Sequence, residues 1–407
     1  FEGIAQESDN LQAALEYAWQ SDPTRGAQLA TAFWRYWDRR GQHDLGVMLM
    51  ESLLETLPTQ EVALRGRVQE ALGRILYSQL RYARSLIYHR QAWESYQQAG
   101  ELACAALSQC MTASAQREVH SKSKEDVSVL LAQCLEGYTY LESHGTLPQR
   151  ATASLQCGAF YTRLGDLEKA RGYLEHCLAL NRIVGNQRGV FVGLFLLGHA
   201  ERHCGDLRAA VTLELEAMKM AQQIGDDFAV ATVLWNIYGI YLQLGEFDEA
   251  EARIREGLTL TRQLGMRTKQ TVFLTGMGLV YTARGQVEPA REWFRQGLQH
   301  ADATGDVSEL LHCASRMVRL ALKEAQDEPR PHHQRLAALL LGSLLRLEQL
   351  LQPQQPYEFG EPLDEALRTI ENALGTQDFS RERDRARQYD RSAALQVFLL
   401  YPESENR

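Results

Sequence analysis

The amino-acid sequence predicts an all-α protein, a right-handed superhelical solenoid built from antiparallel helix pairs in units of about 40 residues. Three observations predict this fold. A short segment around a glycine recurs four times at one spacing, a second glycine series keeps the same step, and small residues recur at fixed distances from the first series. A helix pair cannot bury its apolar face alone, so neighbouring units are expected to stack and share a core.

The first glycine series marks the turn inside each unit. Gly165 suits a helix end in the left-handed conformation that glycine adopts cheaply, and Asp166 suits the N-cap of the following helix. Asp206 repeats this cap, whereas Glu246 and Gln286 are poorer N-caps at the same place. The four turn glycines are Gly165, Gly205, Gly245 and Gly285.

The second glycine series marks the turns between units. Its members are Gly145, Gly185, Gly225, Gly265 and Gly305. Small residues stand on either side of the first series, where two helix backbones are expected to approach closely. They are Gly158, Gly198 and Gly278 before the turn and Ala170, Ala210, Ala250 and Ala290 after it.

Together these positions resemble the tetratricopeptide repeat. That repeat has glycine or alanine at its eighth place, tyrosine at the eleventh and alanine at the twentieth, and the eleventh places here hold Tyr161, Tyr241 and Tyr281. Glu201 departs from the pattern by filling the remaining eleventh place. The units are also longer than the form of about 34 residues, which predicts a longer second helix or turn.

The segments that flank the regular units at 146–305 are less regular. Residues 61–145 are expected to form degenerate units, with a turn near Leu80 that has lost its glycine and a polar turn at 121–126. Residues 306–407 are expected to form a C-terminal helical cap. In this cap we expect a helix from Val307 to about Ala325, a loop at 327–333, and further helices starting near Arg335, Pro362, Asp378 and Asp390.

The first 60 residues carry a second resemblance. Glu7-Ser8-Asp9-Asn10-Leu11-Gln12-Ala13-Ala14-Leu15 opens a helix with a cap at Asp9 or Asn10, and Trp37 precedes Arg40-Gly41. This is similar to the junction at which bacterial NB-ARC or STAND signal-transduction ATPases, including large ATP-binding LuxR-type and AfsR-like transcriptional regulators, enter their repeat sensor. The C-terminal segment is similar to the end of that sensor. The resemblance implies ATPase and DNA-binding domains outside this chain, and the start at Phe1 predicts a fragment.

Composition narrows the possible partners. The 407 residues carry a formal net charge of −9, so we expect no direct binding of nucleic acid, which needs a basic face. Seven cysteines without a Cys-x-x-Cys pair favour small buried side chains in a reducing cytoplasm. No long apolar run predicts a membrane span.

The sequence offers little for catalysis. It has no Gly-Lys pair and hence no phosphate-binding loop, and it has no Gly-x-Ser-x-Gly motif, so we expect neither an enzyme nor a cofactor. His199 and His203 have a spacing that can hold zinc, but the glutamate between them is misplaced for a metalloprotease helix. Histidines on a groove are the alternative interpretation. The lysine and asparagine of a chaperone-type carboxylate clamp are missing.

The tetratricopeptide resemblance implies that the first helix of each unit lines a concave groove. Exposed aromatic side chains among histidines and arginines would suit a peptide, an acidic segment or a small aromatic or anionic ligand, although Phe195 and Trp235 could instead pack between helices. The candidate groove residues are Leu155, Arg163, Phe195, His199, Arg202, His203, Trp235, Gln243, His312 and Arg319.

These observations lead to one functional hypothesis and one alternative. The chain is predicted to be the sensor region of a cytoplasmic signal-transduction ATPase that regulates transcription. An inducer, whether small molecule, peptide or protein, would occupy the groove and favour a self-associating state. The alternative is a stand-alone scaffold that binds a peptide or a partner helix.

Overall fold

A computed structural model describes residues 17–18, 21–40, 42–120, 123–351, 368 and 371–401. Within these ranges every regular element is a helix, and consecutive helices pack in pairs, which confirms the predicted all-α repeat fold. The chain divides into two compact units, residues 1–226 and 227–407. The division into segments 1–60, 61–145, 146–305 and 306–407 stays a prediction. The helix expected near Asp9 lies outside the described residues.

The described part of the first unit is a series of helices joined by short turns. The first helices of neighbouring pairs also contact each other, as α5 contacts α7 and α7 contacts α9. The helices are α1 (Pro23–Arg40), α2 (His43–Thr56), α3 (Val62–Ser78), α4 (Tyr82–Ala99), α5 (Leu102–His120), α6 (Lys124–His144), α7 (Leu147–Leu164), α8 (Leu167–Ile183), α9 (Gln187–Cys204) and α10 (Leu207–Gln223).

The glycine turns form as the sequence predicts. Gly165 has φ of 84°, its amide donates to the Thr162 carbonyl at 3.1 Å, and the Asp166 amide donates to the Tyr161 carbonyl at 3.0 Å. The Asp166 carboxylate then accepts from the Lys169 amide at 3.3 Å, which caps α8. This pairing of bonds ends one helix and starts the next within two residues.

Gly145 differs from the other members of the second glycine series. It is extended, with φ of −86°, whereas Gly185, Gly225, Gly265 and Gly305 are left-handed. The next helix, α7, begins at Leu147, two residues after Gly145. Thr146 is its N-cap, the Gln149 side chain accepts from the Thr146 amide at 2.9 Å, and Pro148 stands in the first turn.

Close helix packing explains the small residues. A Cβ atom at Gly158 would lie 2.6 Å from Leu174 Cγ, so α7 and α8 meet with no room for a side chain there. Gly278 in the second unit has the same role against Phe294, at 2.4 Å. The alanines of the repeat, Ala170, Ala210, Ala250 and Ala290, are all fully buried.

The second unit continues the pairing and ends in shorter helices packed on α16. Its core joins α14, α15, α16 and α18 through residues such as Phe294, Met317, Leu344 and Phe398. Its described elements are α11 (Asp227–Leu244), α12 (Phe247–Gln263), α13 (Arg267–Ala283), α14 (Val287–Thr304), α15 (Val307–Asp327), α16 (Pro331–Leu351), α17 (Thr376–Arg385), a 3₁₀ turn (Ala386–Gln388) and α18 (Arg391–Leu399).

The loop expected at 327–333 is shorter than predicted. α15 runs to Asp327 and α16 begins at Pro331, so His332 and His333 belong to the helix. Proline is favoured at the first helical position because its fixed φ suits the helix and its missing amide is not needed there. Asp390 starts α18 as predicted, since its carboxylate accepts from the Ala393 amide at 2.8 Å. Most of the helix expected at 362–374 lies outside the described residues. None of the described helices combines the length and apolarity that crossing a membrane requires.

Candidate functional site

A pocket of about 440 Å³ lies in the first unit, where the ends of α5, α7 and α9 meet the start of α6 and α8. Its floor and walls are partly apolar, formed by Ala159, Leu164, Leu167 and Leu196. Its polar side chains come from four different helices. They are Arg117, Glu118, Lys124, Thr162, Arg163, His199 and His203.

The repeat geometry brings these side chains together. His199 and His203 are one helical turn apart, so both rings lie on one face of α9, with centroids 4.6 Å apart. Arg163 stands at the end of α7, just before the Gly165 turn. Stacking of neighbouring first helices then places the last turns of α5, α7 and α9 side by side.

Arg117 is the most buried charged group of the pocket. The residue is 6% exposed, and its guanidinium lies over the Phe160 ring at 4.6 Å. Nε and Nη2 both donate to Glu118 Oε1, at 2.9 and 2.7 Å. Nη1 is buried and makes no hydrogen bond to any residue that the structure describes. Tyr77 lies within hydrogen-bonding reach of the guanidinium: burial raises the pKa of Tyr77, and both the charge of Arg117 and its contact with the hydroxyl oppose that rise.

The pocket carries an excess of positive charge. Arg117, Lys124 and Arg163 are cations, and Glu118 is the one acidic side chain among its lining residues. Burial first, and then His203 and Arg202, lower the pKa of His199, so its neutral form is favoured. This cationic site belongs to a chain whose formal net charge is −9.

The structure brings only part of the predicted groove together in this pocket. Arg163, His199 and His203 line it, whereas Leu155, Phe195 and Arg202 do not. Phe195 is half-buried on α9, and its ring centroid lies 6.0 Å from that of Phe191.

The other predicted groove residues, Trp235, Gln243, His312 and Arg319, lie in the second unit. Trp235 is 46% exposed, and Gln243 is also exposed. His312 is half-buried, its Nδ1 lies 2.9 Å from the Ser308 carbonyl oxygen, and burial lowers its pKa. Arg319 is half-buried on α15.

A lysine on α13, which was not predicted from the sequence, contacts α11, the helix that carries Trp235 and Gln243. Lys269 Nζ donates to Thr232 at 2.9 Å and lies 4.4 Å from the centroid of the exposed Phe228 ring. Burial lowers its pKa. The combination of a partly buried cation and an exposed aromatic ring is typical of a recognition surface.

Three charged residues of the pocket were not predicted from the sequence, namely Arg117, Glu118 and Lys124. All belong to the degenerate segment, where the spacing of about 40 residues gives no phase. One signal was present, because Arg117 follows Cys110 and Ala113 at the spacing of one helical face. Both are fully buried, and a charged residue on such a face calls for a partner.

The zinc hypothesis gains nothing from the described residues. No group of three or more histidine, cysteine, aspartate or glutamate side chains comes together among them. His199 and His203 supply two nitrogens where a zinc site uses three or four protein ligands. Of the seven free cysteines, Cys204 beside them is exposed and Cys104 half-buried, while the other five are buried.

Comparison with known proteins agrees with the fold. A family model described as a tetratricopeptide repeat matches residues 152–183. No curated protein sequence matches the chain significantly.

Solved structures give a longer match. A signal-transduction ATPase with numerous domains, with a tetratricopeptide repeat sensor, from Pyrococcus horikoshii aligns at 13% identity and a TM-score of 0.56. The alignment covers 90% of this chain and 54% of that one, so the chain spans about half of that protein. The apo form of RapI aligns at 12% identity and a TM-score of 0.55, covering 89% of this chain and 97% of RapI. A Rap protein complexed with Competence and Sporulation Factor aligns at 15% identity and a TM-score of 0.51, covering 82% and 100%. At these identities the likeness concerns the fold.

Proposed function

We propose that this chain is the sensor region of a signal-transduction ATPase that regulates transcription. The main support is the likeness to the Pyrococcus horikoshii ATPase, in which a tetratricopeptide repeat sensor is joined to a signal-transduction ATPase. The resemblance of residues 1–60 to the junction with such an ATPase points the same way. The partners would be ATPase and DNA-binding domains of the same protein.

In this proposal the pocket at Arg117, His199 and His203 is where the effector binds. A ligand shifts a conformational equilibrium only by its different affinity for the two states. The pocket is built from the ends of five helices, so a small change in their packing would alter it. The repeat region would hold the ATPase inactive, and the effector would favour the active, self-associating state.

The proposal is tested on the full-length product of the gene that encodes this chain. We expect a phosphate-binding loop in the same reading frame, and ATP hydrolysis or self-association that increases when residues 1–407 are deleted. A gene product without that loop contradicts the proposal, as does a deletion that changes neither property. A deletion of the residues after Gly305 alone serves as a control for general damage.

A stand-alone interaction protein is the second candidate. The observation that favours it is that the alignment covers 100% and 97% of the two Rap chains. One of them was solved with Competence and Sporulation Factor. If the gene product lacks a phosphate-binding loop, this candidate gains, and the pocket would then bind a peptide or partner segment directly.

A further inference from the structure

We propose that the pocket of the first unit binds a small organic oxyanion, a carboxylate or a phosphate monoester with an apolar body, and that Arg117, Lys124 and Arg163 supply the positive charge that attracts it. This inference specifies the ligand of the proposed sensor and rests on the premise that the effector occupies this pocket. It does not depend on the linked ATPase or on transcription.

The first argument is the unsatisfied donor. A guanidinium presents five N–H groups in a fixed fork, and Glu118 Oε1 accepts from only two of the three nitrogens of Arg117. Nη1 is enclosed without a hydrogen bond of ordinary length, and Tyr77 lies beside the guanidinium, so the single Glu118 carboxylate leaves this buried arginine incompletely paired. An anionic oxygen is the strongest acceptor for an arginine.

The second argument is charge. Lys124 from α6 and Arg163 from α7 add two cations around Arg117, against Glu118 alone. These arginine, lysine and glutamate side chains give the lining an excess of two positive charges, which matches a phosphate monoester and exceeds the need of one carboxylate. Both groups share the oxyanion chemistry, and separate probes distinguish them.

The third argument is the shape of the pocket. Its volume of about 440 Å³ falls in the usual range of small-molecule sites, roughly 300–1,000 Å³. Leu164, Leu167 and Leu196 give it an apolar side facing the charged one. A ligand with an apolar ring or chain and one anionic end satisfies both sides.

The arrangement also predicts proton uptake on binding. His199 shares the pocket lining with the cations Arg117, Arg163 and Lys124 and with Glu118, the one acidic lining residue, and Arg202 and His203 are its neighbours on α9. Burial and the charges of its own helix lower its pKa. An entering anion favours the charged imidazolium, so binding of a carboxylate, whose own charge stays the same in this range, should be tighter at pH 6 than at pH 8.

The test is titration calorimetry of the intact chain with three probes of similar size, namely benzoate, phenyl phosphate and the neutral benzamide. We expect at least one anion to bind and benzamide not to bind. Benzoate binding, measured in buffers of different ionisation enthalpy, should show proton uptake. The tighter of the two anions identifies the carboxylate or the phosphate class.

Variants locate the site. Arg117→Met should weaken anion binding at least about tenfold, a change of about 1.4 kcal/mol, through loss of a positive charge from the pocket lining. Because Arg117 is buried, Arg163→Met provides a second test at an exposed lining residue and should also weaken binding. Arg182→Met, at an exposed arginine of α8 that does not line the pocket, is the matched control.

The inference would be overturned if neither anion bound to the wild type. It would also be overturned if folded Arg117→Met and Arg163→Met variants bound the anion with the same affinity as the wild type. Equal binding of benzamide would likewise exclude anion recognition. These failures are separable from failure of the proposed function. A missing phosphate-binding loop removes the sensor role and leaves anion binding intact, whereas a missing anion signal leaves the ATPase linkage intact.

Discussion

Leu80 has, among the described residues, the one left-handed backbone conformation that is not at a glycine, with φ of 61°. Its amide donates to the Tyr77 carbonyl at 3.0 Å, and the Arg81 amide donates to the Leu76 carbonyl at 2.9 Å. The Gly165 turn closes with the same pair of bonds. Leu80 therefore replaces the glycine that the sequence lacks, and its Cβ carries a steric cost of about 1–2 kcal/mol.

Replacing this residue with glycine should stabilise the protein. Leu80→Gly removes the steric cost, and the side chain is 70% exposed, so little packing is lost. The greater freedom of glycine in the unfolded chain offsets part of the gain, which leaves about 1 kcal/mol. Urea denaturation measures the change. Leu80→Ala keeps the Cβ and should remain near wild type, so an equal gain from alanine would contradict this explanation.

His89 is a buried histidine in the core of the first unit. It is fully buried on α4 and fills the space over Gly73, where a Cβ would lie 2.7 Å from its Cε1. Burial, with a smaller effect of the Arg74 charge, lowers its pKa to about 3. The unfolded chain takes up a proton near pH 6.5 and the folded chain does not. The contribution of His89 to the free energy of unfolding is therefore fully present above pH 6.5 and is lost as the pH falls towards 3.

This residue should produce a measurable acid sensitivity. Between pH 7.5 and pH 5 we expect His89 to account for a loss of about 2 kcal/mol in the free energy of unfolding. His89→Leu should remove that part of the pH dependence, whatever its effect at pH 7.5. Urea denaturation at both pH values gives the difference. The same replacement at the exposed His120 is the control, and an unchanged pH difference in His89→Leu would refute the assignment.

Glu201 shows why the repeat pattern locates a position without fixing its residue. The three other regular units have a tyrosine at this place, such as Tyr161, whose ring stacks on Tyr173, whereas Glu201 is 4% exposed and bonds Arg171 at 2.7 and 2.8 Å. The two residues are 30 positions apart, and no periodicity links them. Arg117 was not predicted as a pocket residue for the same reason. Sites that depend on side-chain pairs between different helices can be located only from the structure.

At the scale of helices, the most predictable feature was where the helices of the regular units begin and end. Asp206 accepts from the Ala209 amide at 2.9 Å and caps α10. At the same place before α14, Gln286 makes no such bond, and the residue three positions on is Pro289, which has no amide to offer. Turns and caps depend on a few adjacent residues, so the sequence suffices to predict them. Pairing and the exact start of α16 did not follow from such short segments.

This contrast between two caps can be measured. Asp206→Ala should cost about 1 kcal/mol of stability, because one amide of the first turn of α10 loses its acceptor. Asp206→Asn keeps an acceptor and should cost much less. Gln286→Ala should be close to neutral, since no cap bond is lost. Chemical denaturation of the three variants decides the matter, and a Gln286→Ala cost equal to that of Asp206→Ala would show that capping is not the cause.

At the scale of the whole chain, each helix pair of a repeat array contacts the neighbouring pairs, so the ends of the array need contacts that cover their apolar faces. Tyr401, the last described residue of the second compact unit, makes such contacts. Tyr401 is 3% exposed, its hydroxyl bonds Glu324 on α15, and the Arg291 guanidinium lies 4.4 Å from its ring centroid. Arg295 donates to the Tyr401 carbonyl at 2.9 Å. Burial, and then the contact with Glu324, raise the pKa of Tyr401.

Removing the hydroxyl should weaken one end of the array and spare the other. Tyr401→Phe loses a hydrogen bond to a carboxylate, so we expect a cost of about 2 kcal/mol in the stability of the second unit. Arg291 still bonds Glu324 at 2.7 Å, which keeps that carboxylate paired. Because energetic coupling in a repeat array passes mainly between neighbours, amide hydrogen exchange should quicken in α14 to α18 and stay unchanged in α3 to α6. Equal loss of protection in both sets would mean that the chain opens as one cooperative body, and Leu80→Gly would then slow exchange everywhere rather than in the first unit alone.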